Sequence, residues 1–227
     1  MRAALWGPFV KPGDTAVMLV SAPALLTLWW YHGFHPPSDV EGFAHCVWPF
    51  LSSFVLLGVL PCLYIKAGLQ RSWVEFGFGL GNVKYGSKLL LLIPFVVVPA
   101  AIVSTKLPAI REQYPMCGLL GEHHDSILWY ELDYVIFYYA AWEFYFRGFL
   151  LFGLKDSFGS VNAVLIQAIS SCLIHLGKPE AESIGALPFG LVLGYVALRT
   201  GSFWYGFAIH ASLGVLLDLS ILAWPSS

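Results

Sequence analysis

The chain has 227 residues, of which 58% are hydrophobic and only 11% are charged, and its mean hydropathy is +0.71. A soluble domain carries about a quarter of its residues as charged side chains, so this composition excludes a water-soluble globule. The net charge of −2 includes no basic excess, which argues against nucleic acid as a partner.

Several uncharged apolar stretches are long enough to cross a bilayer whose hydrocarbon core is about 30 Å thick. They are predicted to be helices, because lipid offers the backbone no hydrogen-bond partner and the apolar residues are continuous rather than alternating. The seven predicted spans are Thr15–Gly33, Phe43–Ile65, Ser87–Ser104, Ile127–Leu154, Ser160–Leu176, Ile184–Leu198 and Phe203–Ala223. The amphipathic segment Ala67–Val83 is expected to lie along the membrane interface. The predicted fold is therefore all-α: a polytopic transmembrane helix bundle in membrane lipid, forming a single integral-membrane domain over residues 1–227.

The distribution of basic residues predicts how these spans are oriented. If the N-terminus lies inside, nine of the twelve Lys and Arg residues fall on or nearest the cytoplasmic side: Arg2, Lys11, Lys66, Arg71, Lys84, Lys88, Arg147, Lys155 and Arg199. The outward segments hold Lys106, Arg111 and Lys178 together with the acidic residues Asp39, Glu41, Glu112, Glu122, Asp125, Glu180 and Glu182. We therefore predict an inside N-terminus and an outside C-terminus.

The four cysteines, Cys46, Cys62, Cys117 and Cys172, form no CxxC pair, which argues against a zinc module or a disulfide framework. The adjacent histidines His123 and His124 lie in an acidic loop, where surface solvation is a better interpretation than metal binding.

Four ionisable residues stand out inside the predicted spans: Glu143, Arg147, His175 and His210. Glu131 and Asp133 lie at the start of the fourth span, where acidic residues favour a helix N-terminus, and are interpreted as structural. A charge within the membrane costs a few kcal/mol on insertion scales and indicates a functional site. Glu143 and Arg147 are four residues apart, so they share a helix face and can pair; on their own they fit a structural ion pair equally well. At ~1.5 Å per helical residue, Glu143 and the two histidines can converge near the middle of the bilayer.

A carboxylate and two imidazoles from three helices fit a hydrolytic site. Two alternatives remain. His175 lies near a span end, where it could simply reach interfacial water. Intramembrane Glu, Arg and His also mark the ion paths of transporters, although the chain has no inverted repeat of the kind transporters use.

Three short motifs carry these residues. WEFYFRGFL contains Glu143, Arg147 and Gly148, SCLIH contains His175, and HASLG contains His210. In order and spacing they resemble the EExxxR, FxxxH and HxxxN motifs of the CAAX protease and bacteriocin-processing family of intramembrane endopeptidases, also called the type II CAAX prenyl endopeptidase or ABI family. The motif-bearing core covers about residues 127–222.

Three positions depart from the family pattern. Trp142 stands in place of the first glutamate, Ser171 in place of the aromatic residue, and Gly214 in place of the asparagine. The departures imply either an inactive relative that acts as a scaffold or immunity protein, or an enzyme in which Glu143 has become the only base. We favour the enzyme, because a buried Glu and Arg with both histidines retained are costly to keep without a function. Asp218, two turns after His210, could orient that imidazole in place of the asparagine.

The resemblance implies an endopeptidase in which Glu143 is the general base. His175 and His210 would position water and stabilise the oxyanion, and Arg147 would keep Glu143 ionised. His175, His210 and Glu143 could alternatively bind zinc with an open fourth position. That would use the only carboxylate as a ligand and place Arg147 beside the cation, so we expect no cofactor.

The expected substrate is a membrane-anchored polypeptide, cut near a C-terminal sorting or CAAX-like segment. The single-glutamate form resembles the myxosortase and rhombosortase-like sorting-signal proteases, which implies a bacterial inner membrane location.

Overall fold

The computed structural model describes residues 12–121 and 123–224. The described residues form helices and turns without a strand, which confirms the predicted all-α class. Arg2, Lys11 and Glu122, which contributed to the charge argument, lie outside the described residues, as does the side chain of His124.

Helices occupy all seven predicted positions. We number the helices of six residues or more α1 (Gly13–Phe34), α2 (Gly42–Gly68), α3 (Val83–Ser104), α4 (Pro108–Gln113), α5 (127–158), α6 (Ser160–Leu173), α7 (Glu180–Thr200) and α8 (Trp204–Ala223). Five of these, α1, α2, α3, α7 and α8, are long and apolar enough to cross a membrane. Helix α6 has 14 residues and ends before the predicted boundary at residue 176.

Residues 141–154 of α5 lie at the centre of the bundle, whereas Leu128, Trp129 and Ile136 in the first part of the helix are exposed. Every residue from 141 to 154 is buried, and the helix packs against α1, α2, α6, α7 and α8. Other helices supply the lipid-facing surface, as the largely exposed side chains of Phe95 on α3 and Val161 on α6 illustrate. Because this central part of α5 is surrounded by protein, it can carry polar side chains that a lipid-facing helix could not.

The amphipathic segment Ala67–Val83 is mostly irregular and contains one 3₁₀ turn, Trp73–Phe76, which Ser72 and Glu75 cap. Trp73 is partly exposed, whereas Phe76 is buried in the core. A Cβ at Gly148 would lie 2.8 Å from the Phe76 carbonyl oxygen. The glycine of the FRG motif therefore lets this segment pack directly on α5.

The loop between α3 and α5 folds back over the bundle. It contains α4, whose residue Ile110 is buried, and Tyr114 follows in a buried position. A disulfide joins Cys46 near the start of α2 to Cys117 in this loop. The expectation that the cysteines form no disulfide framework is therefore wrong. The two cysteines are 71 residues apart, and the tertiary fold alone brings them together.

Candidate active site

Glu143 lies at the centre of α5 and is completely buried. Its oxygen Oε1 accepts two hydrogen bonds: Arg147 Nη1 lies 3.0 Å away, and His210 Nδ1 on α8 lies 2.7 Å away. Wide π-helical turns at Tyr134–Tyr139 and Phe144–Leu150 flank this part of α5. The i,i+4 pair predicted from the spacing is present, and it extends to a histidine on a second helix.

The contact with Glu143 fixes the chemistry of His210. Because an ionised carboxylate only accepts hydrogen bonds, Nδ1 must be the donor, which leaves Nε2 of the neutral ring as the acceptor. The His210 ring packs between Tyr139 and Phe189, with centroid distances of 4.9 and 5.2 Å. Glu143 therefore sets both the tautomer and the direction of this imidazole.

His175 lies in the turn that follows α6. Its Nδ1 is 2.7 Å from the carbonyl oxygen of Ser171, so Nδ1 donates and Nε2 is again the acceptor. Trp142 packs edge-on against the same ring at a centroid distance of 5.9 Å. The residue that replaces the first family glutamate is thus an apolar wall beside His175.

His175 and His210 line one cavity of about 300 Å³. The end of α3, α4, α5, the turn after α6, α7 and α8 form its walls. Tyr139 and Gly214 contribute to the wall, whereas Glu143 is not among the lining residues. The two predicted histidines therefore line the same cavity. Glu143 does not line it but is hydrogen-bonded to His210, which does.

Sequence reasoning missed a cluster of polar side chains around Glu182, which lies in the cavity wall. Oε1 of Glu182, on α7, accepts hydrogen bonds from the Tyr114 hydroxyl and from Lys178 Nζ, both at 2.9 Å. His175 Nε2 lies 3.7 Å from the same oxygen. The spacing of Lys178 and Glu182 is the helical i,i+4 spacing, but both residues were assigned to a solvent-facing segment.

Gly214 stands where the family pattern has an asparagine, and its surroundings explain the change. A Cβ at this position would overlap the hydroxyl oxygen of Tyr139 on α5. The tyrosine hydroxyl occupies the space that a side chain at position 214 would need.

Asp218 is buried, and both of its carboxylate oxygens lack a hydrogen-bond partner among the described residues. The hypothesis that it orients His210 is therefore wrong, since Glu143 holds Nδ1 of that ring.

The arrangement does not fit the alternative zinc site. Among residues 12–121 and 123–224, no group of three or more His, Cys, Asp or Glu side chains is placed to hold a metal ion. The Glu143 oxygen that faces His210 is also bonded to the Arg147 guanidinium.

A comparison with protein families agrees with the motif assignment. The Rce1-like model, described as type II CAAX prenyl endopeptidase Rce1-like, matches residues 125–216. Over this segment the chain is similar to the type II CAAX prenyl endopeptidase family. The matched segment contains Glu143, Arg147, His175 and His210, and also Glu182. No curated protein and no solved structure matches the chain.

This match supports a CAAX-type intramembrane protease in general. The apolar helices agree with an integral membrane protein.

Proposed function

We propose that the chain is an intramembrane endopeptidase that hydrolyses a peptide bond of a membrane-anchored polypeptide by glutamate-dependent activation of water. One observation carries the proposal: the buried carboxylate of Glu143 binds His210, and His210 and His175 line the same cavity. A carboxylate that orients an imidazole toward a cavity is a recurrent device for moving protons during acyl transfer.

In this mechanism Glu143 acts through His210. Its Oε1 is already shared between Arg147 and His210, and the side chain does not line the cavity. The free Nε2 of His210 exchanges a proton with the substrate at the cavity, and Glu143 stabilises the imidazolium that forms. This role differs from the sequence-based scheme, in which Glu143 itself is the base. Arg147 donates a hydrogen bond to the carboxylate and holds it in place.

No metal-dependent step is included, because the described donor atoms do not form a ligand set. His175 and His210 instead supply two imidazoles within one enclosed space, where hydrogen bonds to a developing oxyanion are strong.

The disulfide supports the proposed orientation. Disulfides persist in oxidising compartments such as the bacterial periplasm, and Cys46–Cys117 ties down the loop predicted to face outward. The same loop supplies Leu107, Ile110 and Tyr114 to the cavity wall. We therefore propose a bacterial inner membrane location with the N-terminus inside and a cavity reached from the outer half. This favours a C-terminal sorting segment of an exported protein as substrate, as in the myxosortase-like systems.

The decisive experiment offers two probes to the purified protein in liposomes. One is a fluorescent protein anchored by a C-terminal transmembrane helix, and the other is a farnesylated CAAX peptide. We expect cleavage of the anchored protein, and a loss of at least ~10² in rate for Glu143→Gln, His175→Ala and His210→Ala, since acid–base groups contribute about 10²–10⁴. His45→Ala is the matched control, because His45 is exposed and does not line this cavity.

Two results would contradict the proposal. One is that wild type cleaves neither probe. The other is that the three site variants cleave as wild type does. A loss of wild-type activity on adding a chelator would contradict the metal-free mechanism alone.

A further inference from the structure

We propose that Glu182 is the carboxylate that takes the proton from the attacking water, and that His175 holds this water beside it. The inference rests on the proposed peptidase function and names its missing base. Of the two carboxylates near the histidines, Glu182 lines the cavity and Glu143 does not.

The two oxygens of Glu182 are in different situations. Oε1 accepts hydrogen bonds from Tyr114 and Lys178. Oε2 is buried and has no hydrogen-bond partner among the described residues. A buried carboxylate oxygen without a partner is costly, and the cavity beside it, about 300 Å³ in volume, has room for water. Glu182 therefore keeps an unused acceptor, Oε2, next to the cavity that its side chain lines.

His175 provides the second acceptor for the same water. Its Nδ1 proton is bonded to the Ser171 carbonyl, so Nε2 presents a lone pair. Nε2 lies 3.7 Å from Glu182 Oε1, which is too long for a direct hydrogen bond. A water molecule has two O–H groups, and it can donate one to the imidazole and one to the carboxylate. The pair thus fixes a water with its oxygen lone pairs directed into the cavity.

Lys178 and Tyr114 keep the carboxylate in this position. Lys178 Nζ donates to Glu182 Oε1 and also to the Tyr114 hydroxyl at 3.0 Å. Charge-assisted hydrogen bonds of this kind are the stronger ones, and they hold the Glu182 side chain in place. Trp142 covers another side of the His175 ring with apolar surface.

The reaction balances without a further reactant. As the water oxygen bonds to the peptide carbonyl carbon, its O–H bond breaks and the proton passes to Glu182. Glu182 passes this proton to Nε2 of His210, and Nε2 delivers it to the leaving nitrogen as the C–N bond of the tetrahedral adduct breaks. Glu182 and His210 thereby return to their starting protonation states. The products are a carboxylic acid chain end and an amine chain end.

The test compares Glu182→Gln with Glu180→Gln on the anchored fluorescent protein and the farnesylated peptide. Glu180 lies in the same first turn of α7 but is exposed and outside the cavity wall. We expect Glu182→Gln to lower the cleavage rate by ~10² or more, with Glu180→Gln within about twofold of wild type. In Glu182→Ala, added formate is expected to raise the cleavage rate by at least about tenfold, because a small carboxylate can replace the lost base.

The outcomes separate this role from the proposed function. Wild-type activity of Glu182→Gln, with His210→Ala inactive, overturns the role of Glu182 and leaves the peptidase intact. If Glu182→Ala unfolds at the wild-type temperature and formate does not restore its activity, Glu182 is not the base, which also overturns its role. Cleavage of neither probe by wild type overturns both.

Discussion

Glu143 is the side chain whose pairing matters most to the bundle. It is fully buried, and its salt bridge to Arg147 is buried with it. Removing one partner of a buried ion pair leaves an uncompensated charge and typically costs 3–5 kcal/mol. The pair is thus a condition for folding as well as for orienting His210.

We predict that Arg147→Met lowers the free energy of unfolding by about 3 kcal/mol. The double exchange Glu143→Gln with Arg147→Met should recover most of this loss, because no buried charge remains unpaired. Thermal unfolding in detergent, followed by circular dichroism, provides the measurement. Glu75→Gln is the matched control. It breaks the i,i+4 bridge between Arg71 and Glu75, which is partly exposed and should contribute less than about 1 kcal/mol.

Equal unfolding temperatures for Arg147→Met and wild type would contradict this prediction. So would a double variant less stable than the single one.

Spacing alone predicted the most important contact at this scale. Four residues separate Glu143 from Arg147, and that distance places them on one helix face. The rise per helical residue predicted that Glu143 and His210 lie at depths where they can meet. In the structure, His210 Nδ1 lies 2.7 Å from Glu143 Oε1. Glu182 could not be found in this way, because its role depends on Tyr114, which comes from a loop that folds back over α7. Nothing in the local sequence encodes that return.

At the scale of elements, the close approach of α5 and α8 depends on small residues. Gly206 leaves room for Glu143, since a Cβ there would lie 3.1 Å from Oε2. Gly214 leaves room for the Tyr139 hydroxyl. Glycines at helix interfaces allow such close packing in membrane proteins.

We predict that Gly214→Ala lowers the free energy of unfolding by about 1–3 kcal/mol, the usual cost of overpacking. Adding Tyr139→Phe to the same chain should offset part of the loss, because it removes the hydroxyl that the new methyl meets. Gly185→Ala on α7 is the control, since a Cβ there has no neighbour within 4 Å. The unfolding temperatures of wild type, the two single variants and the double variant test this prediction. Equal stability of Gly214→Ala and Gly185→Ala would contradict it.

Hydrophobic runs predicted where helices lie but not which of them face lipid. Helix α5 was predicted as an ordinary span, although its residues 141–154 are enclosed by five other helices. The segment Ala67–Val83 has an amphipathic pattern, but Gly77 and Gly81 adopt positive φ values of 83° and 54°. Such backbone conformations interrupt a helix. The segment therefore forms only a short 3₁₀ turn, which packs on α5.

At the scale of the whole molecule, the loop between α3 and α5 links topology to the site. It provides part of the cavity wall and is tied to α2 by Cys46–Cys117. Cysteine spacing could not predict this pair, because a sequence separation of 71 residues gives no local signal. Charge distribution predicted the orientation independently, and the disulfide supplies a chemical test of it, because only one side of the membrane is oxidising.

We predict that a variant with Cys62→Ser and Cys172→Ser, which retains only Cys46 and Cys117, resists an impermeant maleimide until it is reduced. After reduction by an impermeant phosphine, right-side-out membrane vesicles should be labelled and inside-out vesicles should not. Denaturation in detergent with reductant gives the full thiol count as the control. Labelling without reductant would contradict the disulfide, and labelling confined to inside-out vesicles would reverse the orientation. The second result would place the cavity wall on the cytoplasmic side and replace an exported substrate with a cytoplasmic one.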